Sequence, residues 1–476
     1  MRPPRLSPSL AAAIALPLAL AACTVGPDYA PPQTSVSPQW VEPASLDPVD
    51  LAWWENFNDP LLTRLVEQAI ANAPEVRVAE ARVAEARANR DAVYGGRAPQ
   101  VQAKGSATEN VLSKNGQIPI GNIPGFEREF PLYDLGFDAS WEIDLWGRQT
   151  RQQQAANAQA DAALEGRRDA QLRLAAEVAR SYTDLRAAQR ETALRRDIAV
   201  AAQGRADLAD QLYTAGAGSR LDAEQARAAA ASAAASVPQA EAQAASAAYR
   251  IAALLGAAPE TLVPQLEAPA PLPQAPQVIS VGLRSDLLQR RPDVRQAERQ
   301  LAAATANIGV ATADLFPRFS LLGSVGTQAR APGDLVSGDS LRLNIGPSFA
   351  WPIFSFGRIR AQIRAADARA DGAAAAYEGA VAGALADSES AINRHARAQA
   401  ALAQAQRALA SQREATRLAK QRYDAGEDNR AQWLAASSQL SQAELAASQA
   451  QSAALDAAIA LYKALGGGWS EDSPTG

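Results

Sequence analysis

Between residues 135 and 145 apolar and polar side chains alternate strictly. Leu135, Phe137, Ala139, Trp141, Ile143 and Leu145 fall on one face of an extended chain, and Gly136, Asp138, Ser140, Glu142 and Asp144 on the other. The same period returns at 341–353, where Leu341, Leu343, Ile345, Phe349, Trp351 and Ile353 oppose Arg342, Asn344, Gly346, Ser348 and Ala350. A two-residue period over about ten positions predicts a strand with one apolar and one polar face, as in a membrane barrel with lipid outside and water inside. A half-buried soluble sheet has the same period. Partner strands are predicted near 101–108 and 319–327, where the alternation is weaker.

Elsewhere the period becomes helical. From residue 148 to about 214, and again from 358 to about 424, the chain contains no Pro. Helices of that length run roughly 90–100 Å at 1.5 Å per residue. Larger apolar residues such as Leu172, Val178, Tyr182 and Leu185, or Leu455, Ile459, Tyr462 and Leu465, form one stripe, and most other stripe positions are Ala. Small stripe residues let neighbouring helices approach as in coiled coils. Only 216–219 and 426–429 separate each long helix from the next, so antiparallel hairpins are predicted. Gly216 and Gly426 end the outgoing helices in the left-handed conformation, Gly218 completes the first turn, and Ser219 and Asn429 cap the returning helices.

These elements occur twice. Pro74-Glu75-Val76-Arg77 is echoed by Pro292-Asp293-Val294-Arg295, Trp141 and Ile143 by Trp351 and Ile353, and Gln211, Tyr213, Ala215 and Gly216 by Gln421, Tyr423, Ala425 and Gly426. The offset is 218 early and 210 later, so one loop is shorter in the second copy. Matches sustained in order over most of a chain mark a duplication. The organisation predicted is a signal segment over 1–22, an N-terminal segment over 23–60, a first repeat over 61–263, a connector over 264–280, a second repeat over 281–466 and a tail over 467–476. In the connector, 264–276 is Pro-rich and is predicted to be neither helix nor central strand. Strands are placed near 99–110, 132–145, 316–327 and 341–354, and helical hairpins at 148–256 and 358–466. The Pro at each repeat start reads as the first residue of a helix. Trp53, Trp54 and Phe57 read as packing for the N-terminal segment.

Counting strands turns this pattern into a shape. A membrane barrel needs at least about eight strands, and this chain offers four. Unpaired strand edges cannot face lipid, so several chains must share one barrel. Both ends of each strand pair join helices on one side, while the loops 110–131 and 328–340 lie on the other. Short connections belong on the periplasmic side, which puts the helices there.

Composition narrows the chemistry. The net charge of −5 gives no basic footprint for nucleic acid, and one Cys with one His leaves no disulfide framework or zinc set. His395 lies mid-helix without a second catalytic group, and no phosphate loop, nucleophile elbow or dinucleotide fingerprint occurs. An enzyme is not expected. The start of the chain reads as an export signal: Arg2 and Arg5, then a short apolar run ending in Leu20-Ala21-Ala22-Cys23. That ending resembles the bacterial lipobox, which implies cleavage before Cys23, a diacylglycerol on its thiol and an acyl chain on the new amine. No other cofactor is expected. Thr24, where Asp would mark inner-membrane retention, implies sorting to the outer membrane.

The residues together resemble the TolC-like outer membrane factor family, and most closely its lipoprotein branch of multidrug efflux channels that serve RND-type pumps. The most specific segments are 23–29, Trp53-Trp54 with Phe57-Asn58-Asp59-Pro60, 290–321 and 461–469. The resemblance covers essentially the whole mature chain. It implies a homotrimer with a twelve-stranded barrel in outer-membrane lipid and a periplasmic helical barrel. It also implies a periplasmic adaptor and an inner-membrane transporter as partners. Family members close the periplasmic end with inward charges, including aspartates shortly after the tip glycine. Asp222 falls at such a position; the second repeat has Gln432 and Ala435 instead, a departure from the pattern. Asp222 and Asp428, with Glu427, Arg220 and Arg430 beside them, are the expected aperture, with Gly216, Gly218 and Gly426 forming tips that meet the adaptor. The favoured function is the exit duct of a tripartite efflux pump for small molecules or drugs. The alternatives are the exit of a type I protein secretion system and a coiled-coil envelope lipoprotein.

Overall fold

The computed structural model describes residues 24–113, apart from 35, 38, 43 and 44, and residues 127–469. Cys23, the signal segment, most of the loop 110–131 and the tail from 470 lie outside the described residues. The elements run α1 (Pro60–Asn72), α2 (Pro74–Gly95), β1 (Gln100–Val111), β2 (Glu129–Ile143), α3 (Arg148–Thr214), α4 (Arg220–Leu255), α5 (Pro259–Leu266), α6 (Arg284–Arg290), α7 (Pro292–Ala313), β3 (Arg318–Ala329), β4 (Leu341–Ala350), α8 (Arg358–Asp424) and α9 (Arg430–Ala464). The duplication shows in their lengths: α2 and α7 each have 22 residues, α3 and α8 each have 67, and α4 and α9 have 36 and 35. The chain forms two compact units, one of residues up to 32, 84–162 and 297–376, the other of 33–83, 163–296 and 377 onward.

The first unit holds the sheet. Four antiparallel strands lie in the order β1-β2-β3-β4, leaving β1 and β4 as open edges. Register pairs Val101 with Ala139, Phe137 with Val325 and Val325 with Leu343, which puts these residues on one face. That face is bare: Leu343 is 72% exposed, Ile345 71%, Phe349 68% and Phe137 57%. Gln102, Asp138, Ser324 and Asn344 form a row on the opposite face. β2 stops at Ile143, short of the alternation that runs to 145, because Asp144 turns to cap α3, its carboxylate accepting from the Gln149 and Thr150 amides at 3.0 and 2.8 Å. β4 stops at Ala350 rather than near 354; Pro352 has no amide to pair, and Phe356 (φ 47°) and Gly357 (φ 82°) turn the chain into α8. In this unit the N-terminal strap is bolted to α3. Buried Arg151 donates to the Val25 and Gly26 carbonyls, each at 3.1 Å, and to the Asp28 carboxylate at 2.7 Å.

The second unit holds the main apolar core, and Trp53, Trp54 and Phe57 are in it. Trp53 is fully buried, stacks on Tyr462 at 5.3 Å and meets Trp54 and Phe57 edge-on. Asp59 caps α1 through the Leu61 and Leu62 amides and accepts from the Tyr182 hydroxyl at 2.6 Å. One expectation fails in the connector. Pro264 was placed outside any helix, yet α5 continues through it to Leu266. A Pro near the end of so short a helix removes one hydrogen bond, and burial of Leu262 and Leu266 in the core offsets that loss. Also in this unit the paired helices run antiparallel. Asp210 meets Arg227 at 2.9 Å and Arg196 meets Glu241 at 2.5 Å, while the Thr416 hydroxyl donates to the Ala436 carbonyl at 3.0 Å.

Candidate functional site

Both hairpin turns are built by the same backbone device. Gly216 and Gly426 take φ of 72° and 78°, and the next amide reaches back to close the turn: Ala217 to the Leu212 carbonyl at 2.8 Å, Glu427 to that of Arg422 at 2.9 Å. Left-handed backbone is where Gly is favoured, which is why both tips were legible in the sequence. Ser219 and Asn429 are the caps, their side chains accepting from the Asp222 and Gln432 amides, each at 3.0 Å.

The side chains at the two tips then diverge. In the first, the Ser219 hydroxyl donates to the Asp222 carboxylate at 2.7 Å, and Arg220 faces Glu224 at 3.9 Å rather than Asp222. Gly218 sits against Leu212 and Tyr213: an added Cβ would come within 3.1 Å of the Leu212 Cβ and 3.2–3.3 Å of the Tyr213 amide and Leu212 carbonyl carbon. In the second tip the equivalent of Gly218 is Asp428, and it is taken up by Arg422, Nε to Oδ2 at 3.0 Å and Nη2 to Oδ1 at 3.1 Å. Glu427 lies 3.8 Å from the same guanidinium. Within the chain Asp428 pairs with Arg422, which can reach it because the turn folds the last helical residues over residues 427 and 428. Asp222 and Asp428 are each engaged inside their own tip.

Gln432, where an acid was expected, has its own task. Its side chain accepts from the Asn429 amide at 3.0 Å while Asn429 accepts from its own, a complete capping box. Behind it Trp433 stacks on Tyr423 at 5.4 Å, Lys420 stands over the Trp433 ring at 5.3 Å, and Lys420 pairs with Asp424 at 3.0 Å. Sequence reading missed this brace. Its signal was the spacing of Tyr423 and Trp433 on either side of the turn.

On the polar face of the sheet, Asp134 accepts from Arg342 at 2.7 Å and from Gln328 at 2.9 Å, and Lys104 lies 4.0 Å from Asp138. At the helix ends of the strands Trp141 donates to the Arg97 carbonyl at 2.9 Å, and its repeat counterpart Trp351 to that of Leu315 at 3.0 Å. In the second unit, burial and the neighbouring Asp184 push the Asp456 carboxyl up to about 6, although Arg180 and the Thr183 hydroxyl oppose the shift. Burial likewise raises Asp184 and lowers His395. Among the described residues no cluster of three or more His, Cys, Asp or Glu could hold a metal ion, and no described helix is long and apolar enough to cross a membrane.

Residues 65–257 and again 283–467 match the family described as outer membrane efflux protein. Outer membrane protein OprJ of Pseudomonas aeruginosa is 34% identical over 475 residues, covering 96% of each chain. The solved structure of the outer-membrane channel OprN is 38% identical and superposes with a TM-score of 0.84 over 94% of this chain and 100% of that one. The open state of the MtrE outer membrane channel of Neisseria gonorrhoeae is 28% identical, with a TM-score of 0.81 over 95% of this chain and 100% of that one.

Proposed function

Because the chain belongs to the outer membrane efflux protein family, and so is the outer-membrane exit channel of an efflux pump rather than an enzyme, we propose that three copies close one duct for small molecules. The observation that carries this reading is the open four-stranded sheet with one apolar and one polar face. Its β1 and β4 edges have unpaired backbone groups that lipid cannot satisfy, and four strands are too few to close alone. Three copies give twelve strands, with the Phe137 face toward lipid and the Asp138 face toward the bore. The paired helices of the copies form a helical barrel in the periplasm. A passive duct selects little, so the periplasmic adaptor docks at the tips around Gly216, Gly218 and Gly426, and the inner-membrane transporter chooses the cargo. A resemblance to a drug-efflux channel favours drugs and other small molecules over exported proteins. Asp222 and Asp428, with Glu427, Arg220 and Arg430, form the constriction at the tips. Cys23 bears the acyl chains, and Thr24, which follows it in sequence, packs against Gly147, four residues beyond the end of β2.

The deciding experiment is native mass and single-particle imaging of the detergent-solubilised protein. A trimer with a barrel and a tube is expected; a monomer or a solid rod overturns the duct. Loss of [³H]palmitate labelling in Cys23→Ser checks the anchor. A deletion strain that keeps its drug resistance but loses one exported protein would replace the cargo reading with protein secretion. Unchanged planar-bilayer conductance and ion selectivity in Asp222→Ala with Asp428→Ala would remove the aperture assignment.

A further inference from the structure

One row across the polar face of the sheet has no side chains at its centre. Register sets Lys104, Gly136, Gly326 and Arg342 side by side on β1, β2, β3 and β4. At Gly136 an added Cβ would come within 2.6 Å of the Val325 carbonyl oxygen and 2.8 Å of the Gly326 Cα, and at Gly326 within 2.5 Å of the Leu135 oxygen. β2 and β3 lie too close there for any side chain, so the middle of the row is bare backbone. Its ends are two long cations on the edge strands, and both lean away from the row onto acids of β2. Arg342 reaches past β3 to Asp134 at 2.7 Å, on the loop side, and Lys104 reaches diagonally to Asp138 at 4.0 Å, on the helix side. The same balance continues toward the helices. Glu142 faces Arg148 at 3.9 Å, Arg148 meets Asp314 at 3.5 Å, and Asp314 meets Arg318 at 2.5 Å. Acids therefore recur on β2 at 134, 138 and 142, about 13 Å apart, and each has a cation from another element at its own level. Among the described residues every charged side chain on the polar face of the strands belongs to such a couple, and at each level the charges sum to zero.

We propose that this belt makes the exit bore indifferent to the sign of a solute's charge, so that zwitterions, cations and anions of similar size leave with similar ease, and that Lys104 and Arg342 set this property. It rests on the multi-copy duct proposed above, in which the Asp138 face lines the bore, and adds the class of solute which that bore passes. Without the cations, each acid would be repeated around the ring, concentrating cations and repelling anions. With them, each level presents couples of zero net charge, whose fields fall off faster than that of a lone charge. Lys104 is the more exposed of the two cations and its contact is the longer, so the middle level is the one that a single substitution unbalances with least disturbance to the sheet.

The test is the reversal potential of the full-length channel in planar bilayers under a KCl gradient, with the assembly of each variant checked on native gels. Lys104→Gln is expected to raise the potassium-to-chloride permeability ratio by about two- to fivefold, because a unit charge about 10 Å from an ion is worth a factor of about two in water and three copies contribute before salt screens them. Asp138→Asn should lower the ratio by a similar factor, and the double variant should return it to the parent value. Any selectivity of the tips is common to all these channels and drops out of the comparison. Arg342→Gln and Asp134→Asn repeat the test at the next level, should a variant of the first couple fail to assemble. Trimers in which neither couple moves the ratio overturn the proposal and leave the duct intact. If Asp138→Asn moves the ratio far more than Lys104→Gln, the acid is uncompensated and the proposal is overturned as well. An unmodified protein that never assembles overturns the duct itself, and this reading of its bore with it.

Discussion

Arg422 and Asp428 grip each other across the second hairpin tip through two contacts of 3.0 and 3.1 Å, while the matching positions of the first tip hold Leu212 and Gly218. One tip is thus cross-braced by charge within the turn itself, whereas in the other the charge pair across the hairpin, Asp210 to Arg227 at 2.9 Å, lies below the turn, which is closed by close packing and a cap. The Asp428 carboxylate is only 16% exposed, although its partner is 59% exposed, so the pair contributes about 0.2–1 kcal/mol, enough to bias a gate but not to hold the fold. Asp428→Ala is expected to raise the mean conductance or open time of single channels in planar bilayers. Leu212→Ala at the first tip should leave both unchanged. Higher salt should move the unmodified channel toward the Asp428→Ala behaviour by screening the pair. Equal responses at the two tips would show that this brace plays no part in opening.

The caps give a second asymmetry. Asn429 and Gln432 bond in both directions, whereas Ser219 and Asp222 answer with one backbone contact and one between side chains. Asn429→Ala is expected to cost about 1 kcal/mol locally. Amide exchange in the first turn of α9 should accelerate several-fold, without a change in α4. Faster exchange spread evenly over both hairpins would instead mean that the tips unfold as one unit.

What could be read from the chain beforehand follows the strength of each physical signal. The ends of α3 and α8 were legible because Gly216 and Gly426 sit where only a left-handed residue closes the turn, and Ser219 and Asn429 where orphan amides need acceptors. The two strand faces were legible at 135–143 because alternation there is strict. They were blurred at β1, where Gly105 and Ala103 carry little apolar signal and only the register with Leu135 and Phe137 assigns the face. Pro264 misled because its hydrogen-bond loss is local and visible, while the compensating burial of Leu262 and Leu266 is tertiary. Arg422 was passed over for the same reason: six residues and a turn separate it from Asp428, and nothing in a linear reading brings them together. The expected constriction at the tips is a property of several copies, which one chain's sequence can suggest only through its acids.

The Asp456 carboxyl gives a pH dependence with a definite sign. Its folded value of about 6 lies above the ordinary carboxylate range, because burial and Asp184 disfavour its charge more than Arg180 and Thr183 favour it. The folded chain therefore holds more protons than the unfolded one between about pH 4 and 6, and this residue's contribution to stability falls as pH rises through that window. Asp456→Asn removes the charge at every pH. At pH 7.5 it is expected to be more stable than the parent by about 1–2 kcal/mol, after allowing for solvent screening, and at pH 4 to match it. Thermal unfolding of the solubilised protein at the two pH values measures the difference. A variant that loses stability at pH 7.5 would mean that the charged form is the one the groove with Glu177, Arg180 and Lys463 is built to hold.

Arg151 makes a prediction about the anchor that stands apart from the channel. Its side chain is 2% exposed, and besides the Gln154 side chain on its own helix at 2.9 Å its charge is answered by the strap: the Val25 and Gly26 carbonyls and the Asp28 carboxylate. Hydrogen bonds to a charged group are worth about 1.5–3 kcal/mol each, and an acceptor left unpaired in a buried seat costs about as much again. Arg151→Met keeps the stem that fills the space beside Gly309 and removes only the bonding head, so the helix should fold while the strap loses its grip. Protease cleavage within residues 24–42, followed by intact mass, is expected to speed up by one to two orders of magnitude, about what 2 kcal/mol of local opening produces when cleavage samples the open form. Asp28→Asn should act in the same direction but more weakly, because the Asp28 side chain is 92% exposed and a neutral amide oxygen can still accept from the guanidinium. If Arg151→Met frees the strap and the trimer still forms, the strap serves the anchor alone. If the trimer is lost with it, strap seating precedes closure of the barrel, and the order of assembly runs from the N-terminus inward. Unchanged cleavage in Arg151→Met would mean that Thr24 on Gly147 and the Tyr29 hydroxyl on Glu298 hold the strap without it.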